Sequence, residues 1–396
     1  MKTSLLPFFI IFVSFLGCSS DKNSTRDTPS SYNIYEDAED QAVMKWLVRN
    51  GSSEDAKIRN VYDADKKSRV IEFQGNGTRD AYIFGAESGK KAWGEKRHKT
   101  ISWEMQFSED VVIYVMVDTI DGIRYLFYTP SYMRGLLHGF ERGIMHGLGD
   151  AISDGRWRRI TRDLESDLKD AEPNNELVSV NGVIVRGSGR VDNLLLYTPT
   201  VEKYNDGEQG REEWKITDNE PSGAVIERGL DNTQGYYTVF RGEGISNAYM
   251  LGSNGGEGSW KNREEQIFQW RFKAFGNAPE IIEESGFIRN KEAFEFRIFV
   301  DTKRGVRELV YTLGLSHLGV IKEGVIHHAL GDDRTIGSVL LGSGNVLGLW
   351  QTVTRDLEED IKDFEPDNRL IEVNGFQVRG SGFVDDIQLL NCINII

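Results

Sequence analysis

Cysteine, proline, histidine and basic side chains are all scarce in this chain of 396 residues. Two Cys are too few for a fold stapled by several bridges, so stability has to come from hydrophobic cores. Eight Pro beside 42 Gly exclude collagen, and 39% hydrophobic residues exclude a disordered chain. Six His form no obvious catalytic cluster. There are 47 basic against 62 acidic side chains, a net charge of −15, and no basic block interrupts that balance. Phosphate backbones bind by releasing counterions to Lys and Arg, so nucleic acid is not an expected partner. Enzyme signatures are missing as well: no G-x-S-x-G elbow, H-E-x-x-H helix, Walker loop or paired-carboxylate glycosidase strand.

Long hydrophobic runs are lacking, with one exception at the start. Leu5 to Leu16 is an uncharged apolar stretch behind Lys2. At about 12 residues it is too short to span a bilayer, which takes roughly 20, and residues 1–17 read as a signal peptide. The ending Phe15-Leu16-Gly17-Cys18 resembles the lipobox of bacterial lipoproteins. That resemblance implies that Cys18 becomes the lipidated first residue of the mature chain, held to the bacterial cell envelope at the outer membrane or cell surface. Each buried methylene contributes about 0.8 kcal/mol, so several acyl chains make a lasting membrane anchor. Residues 18–31 are small and polar and read as a flexible tether. With Cys18 acylated, Cys392 has no partner for an intrachain disulfide.

Sliding the chain against itself shows a duplication. Residues 158–196 match 351–389 without a gap, at about 23 identities in 39. Upstream the echo is fainter but ordered: Gly75 opens GNGTRDAYIFG and Gly242 opens GEGISNAYMLG, and V-D-T-x-x-G-x-R recurs from Val117 and from Val300. The two repeats span 32–198 and 200–392, each an ordinary size for one β-sandwich.

The hydrophobic period is two. Val111, Ile113, Val115 and Val117 are uniformly aliphatic, while the alternate set holds Tyr114, Met116 and Asp118. The second repeat shows the same pattern in Phe294, Phe296, Ile298 and Val300. Such alternation predicts strands packed on one side. The only helical candidates are Arg162 to Ala171 and Arg355 to Phe364, each of which also fits a strand followed by one turn. The expectation is an all-β chain with two tandem antiparallel β-sandwiches of jelly-roll type.

Three patterns carry a family resemblance: Tyr-x-Asp-x-Glu at the start of each repeat, Trp ahead of T-R-D-L-E-x-D, and the closing G-S-G-x-V-D-[DN]-[IL]-x-L. Together they resemble the jelly-roll, galactose-binding-like carbohydrate-binding modules of secreted bacterial proteins, and the likeness spans most of each repeat. It implies non-catalytic glycan binding and a closing strand that returns beside the first. Fold analogy alone does not establish function.

Several residues are candidates for that chemistry. Asp37 with Glu39, and Asp206 with Glu208, are two apart and share a face on a strand, with Asp192 and Asp385 in the adjacent last strands. Three converging carboxylates repel unless a hard cation such as calcium sits among them, and the resembled modules carry a structural calcium there; the alternative is three solvated acids. Arg124 and Tyr128 share a strand face near Asp118, as do Arg307 and Tyr311 near Asp301. A neutral sugar needs an aromatic plane and bidentate polar partners, which Arg, Tyr and Asp supply. Alternatively Arg124 pairs with Asp118 across a hairpin and Tyr128 is core. His146 and His328, in H-[GA]-L-G-D, can donate to a sugar hydroxyl or be structural; His146 with Asp150 makes too few ligands for zinc. Trp93 and Trp260 lie in polar, Gly-containing loops and are stacking candidates.

The expected function is binding of extracellular polysaccharide, neutral in view of the acidic balance, by a membrane-anchored protein. The competing reading is a structural or adhesive envelope protein that packs against other proteins. A polysaccharide lyase using Arg124, His146 and Tyr128 is the least unlikely enzyme. Oligomeric state is not legible from these residues.

Overall fold

The alternation of apolar residues decides which side of each strand faces inward. Val111, Ile113, Val115 and Val117 are buried, and their counterparts Phe296, Ile298 and Val300 are likewise buried. The computed structural model describes residues 31–131, 134–136, 140, 142–208, 213–231, 235–274, 280–282, 288–290, 295–312, 319–330 and 350–393. The signal peptide, Cys18 and nearly all of the expected tether lie outside the described residues.

The chain is almost entirely β, as the period-two pattern requires. In the first repeat a seven-stranded sheet runs, edge to edge, Trp46–Val48, Ala81–Gly85, Leu177–Arg186, Val112–Thr119, Gly122–Thr129, Gly143–Gly147 and Arg134–Leu136. A six-stranded sheet faces it: Arg158–Asp163, Thr100–Phe107, Gly189–Thr198, Ser68–Gln74 and Lys57–Asp63, with Ser31–Glu36 also paired to Gly189–Thr198. The second repeat builds the same two sheets in the same order from strands between Val201 and Leu390. The last strand of each repeat does return beside the first, Ser31–Glu36 against Gly189–Thr198 and Val201–Asn205 against Gly382–Leu390. Pairing is antiparallel except where Gly143–Gly147 runs parallel to Gly122–Thr129, and Val325–Ala329 parallel to Gly305–Thr312.

Each repeat has its own core. One cluster is drawn from residues between Ala38 and Leu196, the other from residues between Trp214 and Leu389. Trp103 and Trp270 sit at their centres, fully buried. The T-R-D-L-E stretch is a strand that turns directly into a short helix, Leu164–Ala171 or Leu357–Phe364. Asp163 caps the first helix, accepting from Glu165 N at 3.1 Å and Ser166 N at 3.2 Å; Asp356 caps the second, accepting from Glu359 N at 3.3 Å. An acidic cap satisfies amide groups that the first helical turn leaves unpaired and favours its positive end.

The repeats meet through the edge strands Arg158–Asp163 and Gln351–Asp356 and the helices behind them. Arg158 pairs with Asp363, and Arg159 Nε donates to Asp356 at 2.8 Å. In the other direction, Thr352 N and Oγ1 donate to Asp170 at 2.7 and 2.8 Å. Asp170 and Asp363 occupy equivalent positions in the repeat, so the junction is close to two-fold in pattern but not in chemistry.

Candidate functional site

Gly122–Thr129 was expected to present Arg124 and Tyr128 to a ligand, and the structure turns them the other way. Arg124 lies opposite Val117 and Tyr128 opposite Ile113, both on the face that builds the core. Asp118 lies opposite Ile123, on the outer face. Strand alternation therefore separates Asp118 from Arg124 and Tyr128, and the same register separates Asp301 from Arg307 and Tyr311. Arg124 Nε instead donates to both oxygens of Glu172, at 2.9 and 3.0 Å, clamping the end of the helix to the hairpin; Arg307 does the same with Glu365 at 2.9 and 3.0 Å. Tyr128 and Tyr311 are fully buried and offer no ring face to a sugar.

Tyr128 belongs to an interior polar network that sequence reasoning missed. Its hydroxyl donates to Asp167 at 2.7 Å, Arg162 Nε donates to the same carboxylate at 2.9 Å, and His146 stacks on Tyr128 with its Nε2 3.0 Å from the Asp167 carbonyl oxygen. Burial pushes the Asp167 carboxyl up, and the Arg162 guanidinium and then the His146 ring bring it below the usual carboxylate range. Tyr311, Arg355, Asp360 and His328 repeat the arrangement, with Tyr311 donating to Asp360 at 2.7 Å and His328 stacked on Tyr311. Burial pushes His328 down to about 4, so it is neutral at ordinary pH. The signal was present as R-x-x-x-x-D in T-R-D-L-E-x-D: the charges five apart fall on one side of the strand-to-helix turn.

The outer face of the first seven-stranded sheet is where unexplained chemistry collects. Tyr114 lies opposite Phe127 and beside Ile184; Met116 lies opposite Tyr125; Met145 lies beside Phe127. These residues form an apolar cluster separate from the core, with Met116, Tyr125, Phe127 and Ile184 buried and Tyr114 and Met145 partly exposed. Tyr114 meets Phe127 edge-on at 4.3 Å. Phe140, 41% exposed, stands 5.6 Å from Tyr125 and 5.9 Å from Phe127. Polar groups edge the cluster: the Tyr125 hydroxyl donates to Glu87, and Ser179 donates to Asp118 at 3.3 Å. The equivalent face of the second repeat carries Glu295, Arg297, Phe299, Glu308, Val310 and Gln377, with Arg297 paired to both Glu295 and Glu308.

Trp93 and Trp260 are packed at the sandwich edge and are not free in their loops. Trp93 stacks on Tyr35 at 4.0 Å and meets Phe84 edge-on at 5.0 Å; Trp260 stacks on Tyr204 at 3.8 Å. Gly85 and Gly252, both at positive φ, let the indoles lie this close: an added Cβ would stand 3.0 Å from Trp93 Nε1 and 2.7 Å from Trp260 Nε1. Leu251 in place of Phe84 leaves an open cleft of about 310 Å³ beside Trp260 and Tyr204, edged by Lys203, Glu213 and Lys215.

The expected acidic trios fare differently in the two repeats. Glu39 is exposed and accepts from Ser68 and from Arg69 N, Asp37 accepts from Glu39 N at 3.3 Å, and Asp192 is buried against Lys66 instead. The first-strand acid that is buried is Glu36, which accepts from Trp46 Nε1 at 3.0 Å and Ala38 N at 2.9 Å. An ammonium thus compensates Asp192, whose carboxyl burial still lifts to about 6. In the second repeat Asp385 is buried with Oδ1 lacking a partner, and burial, then Asp386 and Asp206, push it up to about 8. Glu208 accepts from Tyr236 N at 3.0 Å at the surface. A divalent cation fits the donor set better beside Asp385 and Asp206 than beside Asp192, where Lys66 already stands.

No family model matches the chain, and no curated protein matches it. Among solved structures, the tandem CBM22-1-CBM22-2 domain of Paenibacillus barcinonensis Xyn10C is similar at 8% identity and a TM-score of 0.26, over 91% of this chain and 98% of that one. The family 11 carbohydrate-binding module of Clostridium thermocellum Lic26A-Cel5E is similar at 16% identity and a TM-score of 0.25, over 43% of this chain and 95% of that one. A family 11 module from Clostridium thermocellum, in complex with a β-1,3-1,4-mixed-linked tetrasaccharide, matches at 13% identity and a TM-score of 0.26, over 50% of this chain and 100% of that one. With TM-scores this low, function has to be argued from the residues of this chain.

Proposed function

We propose that this protein binds extracellular glycan without transforming it, through the outer face of the first seven-stranded sheet. The observation that carries the reading is the aromatic cluster of Tyr114, Tyr125, Phe127 and Phe140 on a face that the core does not need. A sheet packed on one side keeps polar residues on the other, so apolar rings there call for something to lie against them. Rings edged by Glu87 and Asp118 supply what a sugar needs, a C–H-binding plane and acceptors for hydroxyls. The acidic balance favours a neutral polymer. The reading includes a lipid anchor at Cys18 at the bacterial cell surface and a structural calcium in the second repeat, at Asp385 and Asp206.

The groups a lyase would draw on, Tyr128 and His146, are buried, and Arg124 is held by Glu172. The adhesive reading has one observation in its favour: Met116, Tyr125, Phe127 and Ile184 are already nearly covered, as in an apolar protein interface. A glycan array probed with the full chain and with Tyr114→Ala separates the two. Selective binding that the substitution weakens supports glycan. No binding to any polysaccharide by the wild-type chain puts the protein partner ahead.

A further inference from the structure

The junction between the repeats holds a cavity of about 130 Å³ that borders both of them. On the second-repeat side His328, Asp360 and Asp363 each offer a ligand atom, and these atoms lie within 4.8 Å of one another. His328 is 5% exposed, and its Nε2 has no hydrogen-bond partner. A buried imidazole nitrogen left unpaired costs desolvation that nothing returns, unless a ligand completes it.

We propose that this pocket is a binding site for a divalent first-row transition metal, with zinc the best fit, held by His328, Asp360 and Asp363. One nitrogen and two carboxylates suit such an ion and not calcium or magnesium, which take oxygen ligands. Three protein ligands leave a fourth position for solvent, and the cavity has room for it. Arg158, Arg159, Arg162 and Arg355 also line the pocket, so a metal competes with guanidinium groups for the carboxylates. Arg158 holds Asp363, but it also holds Asp154 at 2.7 Å and keeps that partner when Asp363 turns to a metal. Arg355 and the Tyr311 hydroxyl hold Asp360, whose two oxygens keep lone pairs that can accept a further cation.

The first repeat lacks the site although it has the same residue types. There Asp170, the counterpart of Asp363, is taken by Thr352 N and Oγ1. The asymmetry of the junction therefore places this transition-metal site in the second repeat and, among the described residues, not in the first. A metal there would tie the helix Leu357–Phe364 to the strand Val325–Ala329 beside the contact with Arg158, and so stiffen the join between repeats.

The test uses the full chain, stripped with chelator and dialysed, titrated with Zn²⁺ by calorimetry and with Co²⁺ by visible absorption. One saturable site is expected, with a Co²⁺ spectrum of nitrogen–oxygen coordination and no competition from millimolar Ca²⁺. His328→Ala and Asp363→Asn should each weaken binding more than tenfold, while Glu227→Gln, on the exposed strand Val225–Asp231, leaves it unchanged. Asp363 lies at the rim of the pocket, so its variant serves if the histidine variant does not fold. Absence of saturable binding, displacement by Ca²⁺, or full affinity in both variants would overturn the assignment.

Discussion

The two seven-stranded sheets share an inner face and differ in their outer one. Inside, Val115 and Ile298, Tyr128 and Tyr311, and Asp167 and Asp360 occupy matching positions with matching burial and bonds. Outside, Tyr114, Met116 and Tyr125 in the first repeat stand where Arg297, Phe299 and Glu308 stand in the second. Packing holds a core position to apolar side chains, whereas an outer position answers only to solvent and to whatever it binds. Core pairs such as Ile113 and Phe296 change in volume but stay apolar, whereas the outer positions change in polarity and charge, the pattern of a kept scaffold under an altered surface.

The comparison can be broken first at the shared interior. Asp167→Ala or Asp360→Ala leaves a buried tyrosine hydroxyl and a guanidinium, fully buried for Arg162 and part-buried for Arg355, without this carboxylate, and each should cost about 3–5 kcal/mol in denaturant unfolding. Equal losses in the two repeats would sustain the matched-core account; a loss in only one would end it.

The acids of the last strands give the next largest contrast. In chelator at pH 8, Asp385→Asn should raise stability by a few kcal/mol, because it removes an unpaired buried charge. The sign follows from the direction of the shift. A carboxyl lifted in the folded state to about 8 stabilises the fold below its unfolded range near 4, and that contribution is lost as pH rises toward 8. In millimolar Ca²⁺ the same variant should instead be less stable than wild type if calcium occupies the site. Asp192→Asn should raise stability above pH 6 as well, but by less and without dependence on Ca²⁺, because Lys66 offsets part of the cost of burying that carboxylate and keeps Glu104 as a partner. Thermal melts over pH 5 to 8, with and without Ca²⁺, read all of these.

Smaller effects sharpen the difference between the outer faces. Tyr114→Ala should weaken glycan binding by about 1–2 kcal/mol, roughly five- to thirtyfold, while Arg297→Ala changes it by less than about twofold. Equal losses would mean that both faces bind. Smallest of all, Arg124→Ala and Arg307→Ala should each cost about 1 kcal/mol of stability and leave binding alone, because both arginines serve only their helix ends.

Much of this architecture is written in the residue pattern, and the places where the pattern misleads have physical causes. The duplication and the inward set from Val111 to Val117 follow from spacing alone; the return of the last strand beside the first comes from the family resemblance of the closing motif. Arg124 and Tyr128 do share a face, as their spacing requires. That face is the inner one, and period two cannot say so here, because Tyr125 and Phe127 are as apolar as Leu126 and Tyr128. Sidedness in this strand is decided by the helix that Arg124 clamps, and Glu172 lies 48 residues away. Lys66 is a similar case: it reaches Asp192 from 126 residues away, out of a loop with no periodic signal. Half-buried Asp37 and exposed Glu39 bracket a bend that buries Glu36 instead, and Ala38 at φ 57 is the residue that breaks the alternation. The outer aromatic face was visible as Tyr114 and Met116 in the alternate set; its meaning emerges only once the other face is known to be core.

The central claim is that the first repeat's outer sheet face is the one that meets the glycan. Hydrogen–deuterium exchange of the full chain, with and without the best-binding polysaccharide, tests it most directly. The account predicts added protection in Val112–Thr119 and Gly122–Thr129, with none in Glu295–Thr302 and Gly305–Thr312. Protection confined to the second repeat, or to the loops around Trp93 and Trp260, would contradict it.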